Sequence, residues 1–168
     1  SNQPQLVTGV LNRRSVVRFN GSGTYLNLAP NPLSGASAAE VFVALKSAAD
    51  PDSTVHALWR WSQSEIFTFP YTDGYIYDGF ASSTGRVIGD PSPSLASFRL
   101  YNASSKAGEW RAALDGKPIF SSLANSVELP AAVTIGRSGP TAWWNGDVAE
   151  ILVFERVLNI LEREAVGI

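Results

Sequence analysis

Apolar and polar residues alternate over short stretches of this chain, and turn-forming residues separate the stretches. In residues 15–20, Val17 and Phe19 face one side while Val16 and Arg18 face the other, which is the two-residue period of a β-strand. Gly, Pro, Asn and Asp clusters recur between such stretches, and almost nothing between them has a helical period. The pattern predicts about ten to thirteen short strands.

Three dipeptides mark the sharpest predicted turns. Asp73-Gly74 predicts a hairpin between residues 67–71 and 75–77, and Asp115-Gly116 predicts one between residues 109–114 and 117–121. Asn145-Gly146 predicts a further two-residue turn just before the last strand. A strand over 56–61 and another over 65–69 precede the first hairpin.

The carboxyl-terminal stretch combines a strand with the one helical signal in the chain. Residues 148–154 are apolar on both faces apart from Glu150, so we expect a central strand that is covered on both sides. Asn159 followed by Glu162 has the form of a capping box, and Gly167 can end a short helix. Many strands and one terminal helix predict an all-β sandwich of two antiparallel sheets, with jelly-roll connections at this length.

Composition narrows the classes of function. The 168 residues suffice for one domain with a substantial core. The net charge is −2 and the basic residues are scattered, so we expect no nucleic-acid partner. No apolar run is long enough for a membrane span, so we expect no membrane insertion. There is no cysteine, and there is no methionine even at position 1; we therefore expect a piece of a longer parent chain that carries other domains.

The abundant aromatic residues give the strongest indication of function. Flat rings stack on the apolar faces of sugars, but large aromatic side chains also dominate cores, and we expect Trp59, Trp61 and Trp110 to be core residues. Tyr75 and Tyr77 share a strand face opposite Ile76. The predicted ligand site is a surface patch of Tyr71, Tyr75, Tyr77, Asp78 and Arg86. The alternative is that these tyrosines only cover the edge of the core.

Catalysis is not expected. His56 is the only histidine, no Gly-x-Ser-x-Gly elbow surrounds a serine, and a hydrogen-bonded structural role for His56 is the simpler interpretation. Glycoside cleavage requires two facing carboxylates. The nearest candidates, Glu150 and Glu155, are five residues apart on a strand and point to opposite faces.

Four ordered motifs resemble those of laminin-G-like domains of the concanavalin A-like lectin and glucanase family, of the bacterial or phage type. They are Val17-Arg18-Phe19-Asn20-Gly21 with Tyr25-Leu26, the strand Glu40–Lys46, the hairpin Trp110–Gly116, and Ile135-Gly136 followed by Trp144-Asn145-Gly146-Asp147-Val148-Ala149-Glu150. The resemblance implies a concanavalin A-like jelly roll over residues 14–168, preceded by a lead-in segment over 1–13. Thr24 departs from the family pattern, in which many members have Asp before the tyrosine.

The resemblance also carries expectations about ligands. By family position Trp144 is buried, which leaves Trp143 near a rim as a further ligand-binding candidate. Calcium is an open alternative as a cofactor, with Asp73 and Asp90 as candidate ligands. The expected function is a non-catalytic recognition domain of a larger extracellular or virion protein that binds a cell-surface glycan or polysaccharide. The alternative is a structural module of a phage particle or adhesin, for decoration or homo-oligomer formation, with no small ligand.

Overall fold

The computed structural model describes residues 2–62 and 68–166, and antiparallel strands dominate them. The larger sheet has seven strands, and every neighbouring pair in it is antiparallel. In spatial order these strands are β1 (Gln5–Leu11), β2 (Arg14–Asn20), β14 (Asn145–Phe154), β4 (Ala38–Ser47), β8 (Arg99–Lys106), β9 (Glu109–Leu114) and β10 (Lys117–Ser122). The last strand, β14, is therefore central, as its apolar sequence predicts.

The second layer consists of shorter antiparallel ladders. They are β3 (Leu26–Leu28), β11 (Val133–Ile135) and β5 (Trp59–Arg60); β12 (Arg137–Ser138) with β13 (Ala142–Trp143); and β6 (Ile76–Asp78) with β7 (Arg86–Gly89). The Asp115-Gly116 hairpin joins β9 to β10, as predicted. At Asp73-Gly74, Thr68 bridges Tyr77, and residue 67 lies outside the described residues.

One hydrophobic core joins the two layers. Val41, Val43 and Tyr101 contribute from the large sheet, and Ile76 and Ile135 contribute from the second layer. The four fully buried tryptophans are Trp59, Trp61, Trp110 and Trp144. The three tryptophans predicted as core residues are therefore buried, and the prediction of a concanavalin A-like jelly-roll sandwich with one short carboxyl-terminal helix is confirmed.

The amino-terminal lead-in segment contributes the edge strand of the large sheet. Residues 5–11 form β1 and pair with β2, in a register that places Leu6 opposite Val17. Leu6 is 68 % exposed, which fits a strand with one unpaired edge.

The carboxyl-terminal segment returns across the outer face of the large sheet. The capping box is present: the Glu162 amide donates to Asn159 Oδ1 at 3.0 Å, and the Asn159 amide donates to Glu162 Oε2 at 2.9 Å, at the start of α1 (Ile160–Val166). The fully buried Glu40 carboxylate accepts from the Leu158 amide and from Arg163. In the described part of the chain, no helix is long and apolar enough to cross a membrane.

Two local predictions are wrong. Asn145-Gly146 is not a turn but the start of β14, paired with both β2 and β4. Glycine is needed there because a Cβ would collide with the Lys46 carbonyl and would lie 3.0 Å from Ser47 Cα. The strand predicted over 56–61 is also shorter, since only Trp59–Arg60 pair with β11; most of the strand predicted over 65–69 lies outside the described residues.

Candidate ligand-binding site

Three predicted tyrosines form a surface cluster at the Asp73-Gly74 turn. Successive residues of β6 alternate between faces, so Ile76 is buried while Tyr75 is 40 % exposed and Tyr77 is half-buried. The Tyr77 ring lies edge-on to Tyr71 at 5.6 Å between centroids and 6.3 Å from Tyr75. We call Tyr71, Tyr75 and Tyr77 the tyrosine cluster.

Backbone hydrogen bonds and Asp73 fix the shape of the tyrosine cluster. The Gly74 amide donates to the Tyr71 carbonyl and the Tyr71 amide donates to the Tyr75 carbonyl, both at 2.9 Å. Asp73 accepts from the Tyr75 amide at 2.9 Å and from the Tyr77 hydroxyl at 3.0 Å. Desolvation raises the pKa of Tyr77, and the hydrogen bond to Asp73 raises this pKa further. Tyr77 therefore stays a neutral donor that orients its own ring.

Asp78 does not belong to this surface. Its side chain shares the buried face of Ile76, and its carboxylate accepts from Trp59 Nε1 at 3.1 Å and from the Tyr101 hydroxyl at 2.8 Å. The amides of Gly79 and Phe80 donate to it as well. Burial raises the pKa of Asp78, while the four donors oppose that shift. The prediction that Asp78 belongs to the surface patch is wrong, because its side chain lies on the buried face of β6.

Arg86 is also separated from the tyrosines. It pairs with Asp78 across the β6–β7 ladder and is buried. Its guanidinium donates to the carbonyls of Thr84 and Ala124 and to Asn125 Oδ1, and lies 5.5 Å from the Trp110 ring centroid. Arg86 therefore ties β7 to the chain after β10, and its predicted place in the surface patch does not fit this geometry.

Trp143 lies near a rim, as the resemblance implies, but in a different neighbourhood. It is half-buried beside Tyr25, with 5.9 Å between ring centroids, whereas Trp144 is fully buried. Arg137 stacks on Tyr25 at 3.7 Å from its ring centroid and lies 5.6 Å from the Trp143 ring. The structure thus places Trp143 in a second aromatic group, Tyr25–Arg137–Trp143.

The two calcium candidates are neighbours in space. A Cβ on Gly74 would lie 3.2 Å from the Asp90 carboxylate, so Asp90 packs against the turn that carries Asp73. Calcium takes six to eight oxygen ligands. Both Asp73 oxygens already accept hydrogen bonds, and among residues 2–62 and 68–166 no group of three or more acidic, histidine or cysteine side chains could hold a metal. The described residues do not fit a dedicated calcium site.

His56 is buried and hydrogen-bonded. Its Nδ1–H donates to the Trp143 carbonyl at 2.8 Å, while Nε2 faces Asp52 Oδ2 at 2.9 Å and the Thr54 hydroxyl at 3.1 Å. A catalytic triad places the carboxylate and the nucleophile on opposite ring nitrogens, whereas here both groups share Nε2. The hydrogen bond from His56 lowers the pKa of Asp52. His56 holds the backbone beside Trp143.

Sequence reasoning missed Tyr25 and Arg137 as candidate functional residues. Tyr25 precedes β3, whereas Arg137 lies opposite Trp143 in the β12–β13 ladder. The contacts of Tyr25 with Arg137 and Trp143 join segments more than one hundred residues apart, and no local pattern encodes them. The one usable signal was the family position of Trp143, which already indicated a rim.

Solved structures with the same fold come from carbohydrate-active and toxin proteins. The match to the botulinum neurotoxin serotype D binding domain covers 98 % of this chain and 44 % of the toxin chain, with a TM-score of 0.71 and 13 % identity. Domain 4 of AbnA, a GH43 extracellular arabinanase from Geobacillus stearothermophilus, was solved with arabinotriose. Its match covers 94 % of this chain and 77 % of the arabinanase domain, with a TM-score of 0.63 and 13 % identity. Trypanosoma rangeli sialidase matches 87 % of this chain at TM-score 0.63 and 12 % identity, and this chain covers only 26 % of its length.

These likenesses show the fold. No protein-family model and no curated protein sequence matches the chain. The laminin-G-like family therefore stays a prediction, within the β-sandwich fold that the solved structures share.

Proposed function

We propose that this chain is a non-catalytic recognition domain that binds carbohydrate on a cell surface, as part of a longer extracellular protein. The tyrosine cluster is the observation that carries this proposal. The Tyr77 ring contacts both Tyr71 and Tyr75, Tyr75 is exposed, and Asp73 fixes the cluster through two hydrogen bonds. Preformed aromatic surfaces with a nearby acceptor suit a sugar, whose apolar face stacks and whose hydroxyls donate.

The solved relatives support the same class of ligand. Domain 4 of the GH43 arabinanase was solved with a bound arabinotriose, and its own length is largely covered by this chain. Asp78 and Arg86, which sequence reasoning added to the site, are instead structural: Asp78 anchors β6, which presents Tyr77, and Arg86 anchors the neighbouring β7. The proposed site is therefore Tyr71, Asp73, Tyr75 and Tyr77.

The test is a glycan array with the domain displayed multivalently, because weak single sites gain from avidity. We expect binding to one glycan class, and we expect Tyr75→Ala to weaken it about ten-fold while Tyr75→Phe, which keeps the ring, preserves it. Leu123→Ala is the control, since Leu123 is 84 % exposed and distant in sequence from the cluster. EDTA should leave the binding unchanged, because the acidic side chains do not fit a calcium site.

A folded domain that binds no glycan on the array would contradict this function. It would favour the structural module of a phage particle or adhesin. Binding that survives Tyr75→Ala unchanged would keep the lectin function but move its site away from the tyrosine cluster.

A further inference from the structure

A cavity of about 370 Å³ opens on the second layer, beside the Tyr25–Arg137–Trp143 group. Its wall includes Arg60, Pro130, Thr134, Arg137 and Pro140. Two of these residues, Arg60 and Arg137, carry a positive charge, and none of the lining residues within 2–62 and 68–166 is acidic. In the described part of the chain, the charged side chains that line the cavity are therefore both basic.

The Arg137 guanidinium in this wall is held in place by aromatic rings that pack against its planar face. Its Cζ lies 3.7 Å from the Tyr25 ring centroid and 5.6 Å from that of Trp143. The backbone is fixed as well, because the Thr134 hydroxyl donates to the Arg137 carbonyl at 2.9 Å and Trp143 pairs with Arg137 across the ladder. A stacked guanidinium keeps its N–H edges free to meet a planar anion.

Arg137 differs from Arg86, Arg99 and Arg163 in its hydrogen bonds. Arg99 pairs with Asp115 and Arg163 pairs with Glu40. Arg86 donates to two carbonyls and to an amide oxygen. Within residues 2–62 and 68–166, the Arg137 guanidinium makes no hydrogen bond and no ion pair, and its contacts are with the rings of Tyr25 and Trp143. Its five donors remain for a ligand.

We propose that Arg137 binds the carboxylate of an acidic sugar, which would sit in this cavity. A bidentate pair between guanidinium and carboxylate is strong and geometrically specific. The half-buried Trp143 ring, 5.6 Å from the Arg137 Cζ, would offer the sugar a stacking surface at the edge of the cavity. The Thr134 hydroxyl, which already donates to Arg137, remains an acceptor for a sugar hydroxyl. That the ligand is a sugar rests on the proposed function, but this site is separate from the tyrosine cluster.

The test is an NMR titration of the whole chain with three acidic methyl glycosides, those of glucuronic, galacturonic and N-acetylneuraminic acid. Each is paired with a neutral counterpart: the glucoside, the galactoside and the sialic acid methyl ester. The observed signals are the Arg137 Nε–H and the indole N–H of Trp143. We expect at least one acid to shift both signals with an affinity about ten-fold or more above that of its neutral counterpart. Equal shifts from acid and neutral sugars, or no shift from any acid, would overturn the proposal.

Variants separate recognition from a structural clamp. Arg137→Gln should abolish the acid-dependent shift at Trp143. Arg137→Lys should weaken it, because lysine keeps the charge but lacks the planar guanidinium that pairs bidentately with a carboxylate. Arg14→Gln removes an equal charge from an exposed position and should change nothing. A purely structural role would lower the unfolding midpoint of Arg137→Gln without any acid-dependent shift in the native chain.

Three further outcomes can be told apart. If acetate alone reproduces the full affinity of the best acid, the site binds a bare anion and the sugar assignment is wrong. If Tyr75→Ala abolishes array binding while no acid sugar reaches Arg137, this inference fails and the proposed function stands. If acid sugars bind through Arg137 but no array glycan depends on Tyr75, the assignment to the tyrosine cluster fails and the Arg137 site stands.

Discussion

Asp78 and Tyr77 are neighbours on β6, yet one lies in the core and the other on the surface. The period of a strand decides this outcome, because the buried side chain of Ile76 fixes which face Asp78 shares. Once buried, a carboxylate needs donors, and Asp78 has four. The same residue type at Asp73, on an exposed turn, remains available to support a ligand surface.

We predict that Asp78→Ala destabilises the fold much more than Asp78→Asn does. Alanine leaves Trp59 Nε1 and the Tyr101 hydroxyl without an acceptor, at about 1–3 kcal/mol for each buried group. Asparagine keeps one oxygen for Trp59, and its amide can donate to the Tyr101 hydroxyl, so its cost should be about 1 kcal/mol. Urea unfolding measures both values. Equal losses for the two variants would show that the hydrogen bonds do not dominate.

Gly146 illustrates a residue whose meaning depends on a distant strand. We predict that Gly146→Ala destabilises the fold by about 1–3 kcal/mol, because its Cβ would meet the backbone of Lys46 and Ser47, which cannot rotate away. Gly23→Ala is the matched control: its φ of 148° is close to the 156° of Gly146, and nothing lies within 4 Å of its added Cβ. Thermal unfolding of both variants should show the larger loss at Gly146. A similar loss of stability in Gly23→Ala would show that the positive φ, and not the contact with Lys46 and Ser47, causes the destabilisation.

At the scale of elements, features encoded within a few residues were predictable. The β9–β10 hairpin follows from Asp115-Gly116, and the start of α1 follows from the Asn159 and Glu162 pair. The site was only partly predictable, because which tyrosines share a face is local, whereas the contact between Arg137 and Tyr25 depends on how distant strands align. Asn145-Gly146 was misread for the same reason, since the constraint comes from Lys46 on β4.

The capping box makes the end of the chain sensitive to acid. The hydrogen bond and charge of Arg156 and the hydrogen bond to Asn159 lower the pKa of Glu162 from 4.5 to about 2. A lowered pKa means that the ionised group contributes stability above about pH 4.5 and loses that contribution as the pH falls towards 2.

We therefore predict that the helix α1 loosens between about pH 4.5 and 2. The carboxyl carbon shift of Glu162 reports its titration, and the amide shifts of α1 report the helix. Glu162→Gln, which cannot ionise, should remove this step from the α1 amide signals. A Glu162 pKa near 4.5 in the folded chain would contradict the prediction.

At the scale of the whole molecule, the two layers depend on a single core. Trp110 on β9 is fully buried; its Nε1 donates to the Phe80 carbonyl at 3.0 Å, and its ring lies 5.8 Å from Phe120. Trp59, on β5 of the second layer, contacts Phe80 and also reaches Tyr101 on β8. Aromatic contacts thus pass from one layer to the other, so neither layer buries its apolar face alone.

This connection predicts that Trp110→Ala destabilises the whole domain by about 3–5 kcal/mol, through lost packing and an orphaned Phe80 carbonyl. Unfolding should remain one transition, with the same midpoint by far-ultraviolet circular dichroism and by tryptophan fluorescence. Leu123→Ala, at a residue 84 % exposed, should change the free energy of unfolding by about 0.5 kcal/mol or less. Two separate transitions would show that the layers fold independently. While it remains folded, Trp110→Ala should still bind the ligand of the tyrosine cluster, because its loss lies in the core and leaves the Asp73 turn intact.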